Sequence, residues 1–302
     1  MPVSAPLADL LQPATLHRLG NLALIARIAV NGFLSGLHRS LSLGQGGEFL
    51  QYRSYYPGDD LKYVDWKVFG KRDRFYTKVY REETNMDLIL VVDASGSMDY
   101  TGTRAPCSKW RYASMVAACL AYLATRQGDN VGLYLYNEGF TQGISPGNRG
   151  GQLERILAAL QRQQPTGEAH HERVWKSLTA RLRSRGVIVF LSDFLEAEES
   201  VPPLLKTLPA TRHESIALQV LDPDEIDFPF ALSTEFVGTE RGDRIRTFPE
   251  YVRDDYQRQM NQFLADLSES FRNSPTDFLR LTSDTSLALS LATYLHRRDR
   301  LH

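Results

Sequence analysis

The stretch that most constrains this chain is MDLILVVDASGSMD, residues 86–99. Met86 to Val92 is a short, mainly apolar run rich in branched side chains, and it follows a charged segment. Such a run reads as a strand buried on both faces, the kind found in parallel sheets. At its carboxyl end the sequence turns polar at once: Asp93, Ala94, Ser95, Gly96, Ser97. In open α/β sheets, ligands bind beyond the carboxyl ends of the strands. One carboxylate and two hydroxyls at i, i+2 and i+4, on a loop that Gly96 lets bend sharply, can converge on one point. All three are oxygen donors, which suit a hard divalent cation: Mg²⁺ first, with Mn²⁺ or Ca²⁺ as alternatives. The plainer reading of the same residues is a strand that ends in a polar turn.

Two hydrolytic readings of the stretch fail on single positions. A phosphatase built on a strand-end nucleophilic Asp needs a second Asp two residues later, and Ser95 stands there. A Gly-x-Ser-x-Gly nucleophile elbow lacks its first glycine, because Val92 or Asp93 occupies that place.

The spacing D-x-S-x-S resembles the metal-ion-dependent adhesion site of von Willebrand factor type A domains. That resemblance implies an α/β fold: a doubly wound, mostly parallel sheet with one antiparallel edge strand. It also implies two further ligands, an Asp at the end of a later strand and a Thr on a loop between helices. Gly186 opens the run VIVFLSDF, which reads as a second buried strand ending in Ser192-Asp193, so Asp193 takes the first role. The loop Gln164 to Ala169 offers Thr166 for the second, with Glu168 as a substitute.

Composition closes off several other classes. The 35 basic and 36 acidic side chains nearly cancel, and a sequence-independent nucleic-acid binder needs an excess of positive charge. Two cysteines without C-x-x-C spacing support neither a disulfide framework nor a zinc site, and a reducing compartment follows. The apolar run from Leu22 to Val30 is broken by Arg27 and falls far short of the roughly 20 residues a spanning helix needs. No membrane insertion and a cytoplasmic location are therefore expected. Leu16, Leu19, Ala23 and Ala26 recur at helical spacing and predict an amphipathic helix there. No P-loop is present, so ATP binding in the usual manner is not expected.

Residues 44–83 carry glycines at 44, 46 and 47, a Tyr56-Pro57-Gly58-Asp59 turn, and opposite charges at Arg53, Asp59, Asp60, Lys62, Asp65 and Lys67 around Trp66. The run G-x-G-G-E-F, then R-x-Y-x-P-G-D-D with Arg53, Tyr55, Gly58, Asp59 and Asp60, then Asp65-Trp66-Lys67, ahead of D-x-S-x-S, resembles the bacterial family catalogued as domain of unknown function fifty-eight. Members look like von Willebrand factor A-type domains, and the resemblance implies MoxR-type AAA+ ATPases as partners, with other von Willebrand factor A-type proteins as further candidates. The segment from Arg53 to Lys67 is then either a clamp on the α/β body or a partner-binding surface.

The remaining pattern divides the chain into residues 1–83, helix plus signature segment, and residues 84–302, the α/β domain. Ser108 is placed to cap a helix from Lys109 to Gln127 that Gly128 ends. Val131 to Tyr136 predicts a strand with a hairpin partner near Phe140 at the sheet edge. Adjacent His170 and His171 point apart on any helix and do not suggest a metal site. Within 222–248, the pieces Thr234 to Val237 and Arg244 to Phe248 read as a hairpin extending the sheet. The function expected is that of a metal-dependent interaction module and not an enzyme; the alternatives are a hydrolase using the Asp93 cleft and a structural domain with a vestigial site.

Overall fold

The computed structural model describes residues 11–40, 51–54, 76–79, 86–179, 186–195, 213–240 and 242–299. These fall into two compact units: residues 1–34 with 86–302, and residues 35–85. In the smaller unit, β1 (Gln51–Ser54) pairs antiparallel with β2 (Tyr76–Val79), and Arg53 stands opposite Thr77. Tyr55, Gly58, Asp59, Asp60, Asp65, Trp66 and Lys67 lie outside the described residues.

The larger unit is built on β3 (Asp87–Asp93), every residue of which is buried. Its neighbours are β4 (Asn130–Tyr136) and β6 (Gly186–Ser192), both parallel to it. The sheet runs in the order β10, β7, β6, β3, β4, β5, where β7 is Glu214–Leu221, β10 is Asp277–Thr282 and β5 is Phe140–Gly147. Only β5 is antiparallel, paired to β4 at the edge. This is the doubly wound sheet with one antiparallel edge strand that the sequence led us to expect.

Both faces of the sheet are covered, which is why its strands carry apolar side chains without alternation. On one face Ile89, Val91, Tyr134 and Ile188 join Val174, Trp175 and Leu178 of α5 (His171–Thr179) and Phe263, Leu264, Leu267 and Phe271 of α7 (Pro249–Arg272). The other face carries α3 (Lys109–Arg126), α4 (Gln152–Arg162) and α8 (Leu287–Asp299). Helix α3 starts at Ser108, whose hydroxyl accepts from the Arg111 N–H at 3.2 Å, and it is buried on nearly all sides. Its alanines, at positions 113, 117, 118, 121 and 124, let it lie close to its neighbours.

Two expectations change. The amphipathic pattern near the start does not make one helix: α1 (Pro13–His17) and α2 (Leu22–Ser40) are separated by a turn at Gly20, whose φ is +67°. Leu19 falls in that turn and is exposed, while Leu22, Ile25, Ala26, Ala29, Val30 and Phe33 make the buried stripe of α2. The 234–247 hairpin forms as expected but does not extend the sheet. Strands β8 (Thr234–Val237) and β9 (Arg244–Thr247) make a sheet of their own. The reason lies in where the aromatic side chains go. Phe236 stacks on Phe228 at 5.5 Å, Phe228 lies 4.4 Å from Tyr256 of α7, and Phe230 meets Phe236 edge-on at 5.2 Å. The hairpin is thus held by an aromatic cluster on α7 rather than by backbone pairing to β10.

Leu90, at the middle of β3 and fully buried, tests this arrangement. Leu90→Ala should cost about 2–5 kcal/mol in denaturant unfolding, the transfer and cavity terms together. A cost below about 0.5 kcal/mol, normal for surface positions, would show that β3 is not the buried centre of the sheet.

Candidate functional site

The loop after β3 carries the site. Asp93 closes the strand, and Gly96–Asp99 follow as a single turn of 3₁₀ helix. The Asp93 carboxylate is fully buried. One oxygen accepts from the Ser95 N–H at 2.9 Å; the other accepts from the Ser192 hydroxyl at 2.6 Å, from the end of the adjacent strand β6. The Ser95 and Ser97 hydroxyls touch at 3.1 Å. Asp193, one residue beyond Ser192, faces Ser97 closely enough for that hydroxyl to favour its ionised carboxylate. Asp93, Ser95, Ser97 and Asp193 therefore meet at one place, across the carboxyl ends of two neighbouring strands.

The loop with Thr166 lies against the same turn. The Thr166 N–H donates to the Ala94 carbonyl at 2.9 Å, and the Gly96 N–H donates to the Gly167 carbonyl at 2.8 Å. Gly167 has φ +74°, which a side chain would disfavour. Thr166 is thus fixed beside the motif through its backbone, with its residue exposed to solvent.

Gly96 is required by a close approach and not by its backbone, which lies in an ordinary 3₁₀ turn. A Cβ there would stand 2.5 Å from the carbonyl oxygen of Thr239, in the turn between β8 and β9. The hairpin tip consequently rests on the middle of the D-x-S-x-S loop, a neighbour that the sequence pattern did not disclose.

Lys109 was also missed. It is the first residue of α3, an end where a lysine ordinarily reaches water, yet it is completely buried. Its ammonium donates to Asp193 at 2.8 Å and to Glu225 at 2.5 Å. Glu225 belongs to α6 (Pro223–Asp227), where its other oxygen accepts from the Asp222 N–H at 2.8 Å in a capping box. Burial alone would push the Lys109 amine down, but the charges of Asp193 and Glu225 outweigh it and hold the amine above its ordinary value. The two aspartates are driven apart. Asp93 is raised, chiefly by burial and further by the charge of Asp193. Asp193 is lowered, because the Lys109 charge and hydrogen bond overcome its own burial.

Beneath Asp93, the Tyr136 hydroxyl and His171 Nδ1 are 3.1 Å apart, and both residues are buried. Further along the edge, Arg104 binds Asp224 and Asp227, while the Gly102 and Thr103 N–H groups donate to Asp222 and Asp224. These contacts tie the loop after the motif to the end of β7.

The donor set fits a hard cation. Two hydroxyls in contact, a carboxylate beside them, and a second buried carboxylate paired with no Lys or Arg among the described residues make an oxygen-lined place where positive charge is favoured. Among the described residues no group of three His, Cys, Asp or Glu side chains is arranged to hold a metal ion.

Comparison with known proteins decides the family. The sequence profile of the protein of unknown function DUF58 matches residues 51–264. The chain belongs to that family. An uncharacterized protein of Mycobacterium tuberculosis is 29% identical over 305 residues, covering 99% of this chain and 94% of the relative, and one from Mycobacterium bovis matches equally. Among solved structures, the conserved hypothetical protein BatB from Bacteroides thetaiotaomicron superposes with a TM-score of 0.50 at 12% identity, over 71% of this DUF58 chain and 99% of BatB. The VWA domain of SpRpn10 gives a TM-score of 0.41 at 11% identity over 70% of this chain and 95% of that domain. The fold of this DUF58 protein is an α/β fold similar to that of BatB, a mostly parallel sheet with one antiparallel edge strand.

The buried pair makes a pH prediction. Asp193 lies below its unfolded value of 3.8, so the stability it adds is present above that value and is lost as pH falls through the lower folded value. Lys109→Met leaves two carboxylates without their cation and should cost about 3–5 kcal/mol at neutral pH. In thermal melts of both proteins, the gap between them should narrow below pH 3.8. A gap constant with pH would mean that Lys109 does not bear on the ionisation of Asp193.

Proposed function

We propose that this protein is an interaction module whose cleft at Asp93, Ser95, Ser97 and Asp193 holds a divalent cation, Mg²⁺ before Mn²⁺ or Ca²⁺, and offers it to a carboxylate of a partner. The observation that carries this reading is the convergence of the two serine hydroxyls with Asp193 beside a buried Asp93. The fold supports a protein-interaction role in general terms. The bound ion would supply a point of positive charge for an acidic ligand. In this reading Ser95, Ser97 and Thr166 would offer hydroxyls to it, and Asp93 and Asp193 would offset its charge. Ser192 and the Ser95 N–H hold Asp93 in place, and Lys109 holds Asp193.

The partner in this reading is an AAA+ ATPase of the MoxR type, with other von Willebrand factor A-type proteins as further partners. It rests on the resemblance set out from the sequence signature between Gly44 and Lys67. The module acts as an adaptor in assembling or remodelling complexes and performs no chemistry of its own. A cytoplasmic site of action belongs to the same proposal. No helix among the described residues is long and apolar enough to cross a membrane.

Two measurements test the reading. Millimolar Mg²⁺ should raise the melting temperature, since a ligand that binds only the folded state stabilises it by mass action. Asp93→Ala should abolish the rise while leaving the far-UV circular dichroism unchanged. Co-purification with the MoxR-type ATPase should be lost on EDTA treatment or with Asp93→Ala and should resist salt better than a surface ion pair does. A complex that survives both EDTA and Asp93→Ala would move the contact elsewhere, most directly to the segment from Arg53 to Lys67. Phosphoester turnover by the pure protein, stopped by Asp93→Ala, would replace the adaptor reading with a hydrolase.

A further inference from the structure

The cleft already contains a cation. Lys109 is completely buried, and its ammonium bridges Asp193, at the end of β6, and Glu225, beyond the end of β7. Both remaining donor sites around these carboxylates are taken by backbone N–H groups: Leu195 donates to the second oxygen of Asp193 at 3.2 Å, and Asp222 to the second oxygen of Glu225 at 2.8 Å. The Lys109 ammonium lies over the Tyr100 ring, 5.9 Å from its centroid. The lysine is therefore a built part of the site rather than a side chain that swings between the cleft and water.

We propose that Lys109 is the residue that sets the divalent-ion affinity of this cleft, by competing for Asp193 and so holding the affinity of the free protein low. This inference rests on the metal reading above. The physical argument is a count of charge. Asp93, Asp193 and Glu225 contribute three negative charges and Lys109 one positive. Affinity for a hard cation rises with the number of anionic oxygens free to face it. Asp193 is already committed to the ammonium, so an incoming Mg²⁺ meets one uncompensated carboxylate, Asp93, together with neutral hydroxyls. A partner's carboxylate supplies the anionic oxygen that Lys109 withholds. Ion and partner then bind cooperatively, and by linkage each raises the affinity for the other. The same ammonium keeps the ends of β6 and β7 and the start of α3 together in the ion-free state, so the cleft is assembled before the ion arrives.

The experiment is a calorimetric titration of Mg²⁺ alone into the full chain and into three variants. Lys109→Met/Glu225→Gln removes one positive and one negative charge, so the net charge of the cleft is unchanged and only the competition for Asp193 is lifted. It should bind Mg²⁺ at least about tenfold more tightly than the wild type, a change worth about 1.4 kcal/mol. Glu225→Gln alone leaves the ammonium to Asp193 undivided and should bind Mg²⁺ more weakly than the wild type; this second variant decides the matter if the double variant does not fold. Lys109→Arg, which keeps the charge, should stay within a few-fold of the wild type in Mg²⁺ affinity. Equal affinities in wild type, double variant and Glu225→Gln overturn the inference while leaving the metal reading intact. No binding of Mg²⁺ by any of the four proteins overturns the metal reading and this inference with it.

Discussion

The carboxyl edge of the sheet depends on one buried ammonium. Three segments far apart in sequence meet there: the start of α3, the end of β6 and the turn after β7. Each brings charge into a place largely shielded from water, and taking an unpaired carboxylate out of water costs several kcal/mol even after relaxation. Lys109 offsets that cost for Asp193 and Glu225 together. Backbone N–H groups from Leu195 and Asp222 complete both carboxylates, so none of the four carboxylate oxygens is left without a donor. Without such satisfaction a buried ionic cluster would be worse than an apolar one. With it, the strand ends are pinned in the positions that bring Ser97 to Asp193.

The central sheet was legible because its signal is local. Met86 to Val92 and Gly186 to Ser192 are apolar without alternation, and only a strand covered on both faces tolerates that. Ser108 and Gly128 bracket α3 at both ends, through a side-chain cap and a positive φ of 82°. The long reach of the aromatic side chains was not legible. Phe228 sits at φ +47°, a conformation that no composition rule would give to phenylalanine, because its ring is needed between Phe236 and Tyr256. That long-range packing draws the 234–247 hairpin away from the sheet that its strand-like pattern suggested.

The candidate site divides in the same way. Asp93, Ser95, Ser97 and Asp193 could be read because each stands at a strand end or in the turn beyond it, where the pattern changes from apolar to polar. Thr166 could be placed near them only through the resemblance; the structure sets its loop on the motif through backbone bonds, which leave no mark on side-chain identity. Lys109 gave no signal at all. A lysine at the first position of a helix usually lies in solvent, and only the pairing of two distant carboxylates shows why this one does not. Glu225 was hidden in Asp222-Pro223-Asp224-Glu225, where the residues that make a capping box also make an ordinary turn.

These arrangements together give the D-x-S-x-S loop two neighbours of different character. One is ionic and fixed: Asp193, Lys109 and Glu225 below, with Arg104 holding Asp224 and Asp227 farther out. The other is the tip of the β8–β9 hairpin, whose Thr239 carbonyl comes so close to Gly96 that no other residue could stand there. The hairpin is anchored at its base by the Phe228, Phe230, Phe236 and Tyr256 cluster, and its own strands make no backbone pairing to the six-stranded sheet. Its position over the loop is therefore set by packing at the base and by one close backbone approach at the tip, not by a ladder of hydrogen bonds. The glycine of D-x-S-x-S thus answers a demand made from outside its own loop: its backbone lies in an ordinary 3₁₀ turn, and what excludes a side chain is the carbonyl of Thr239.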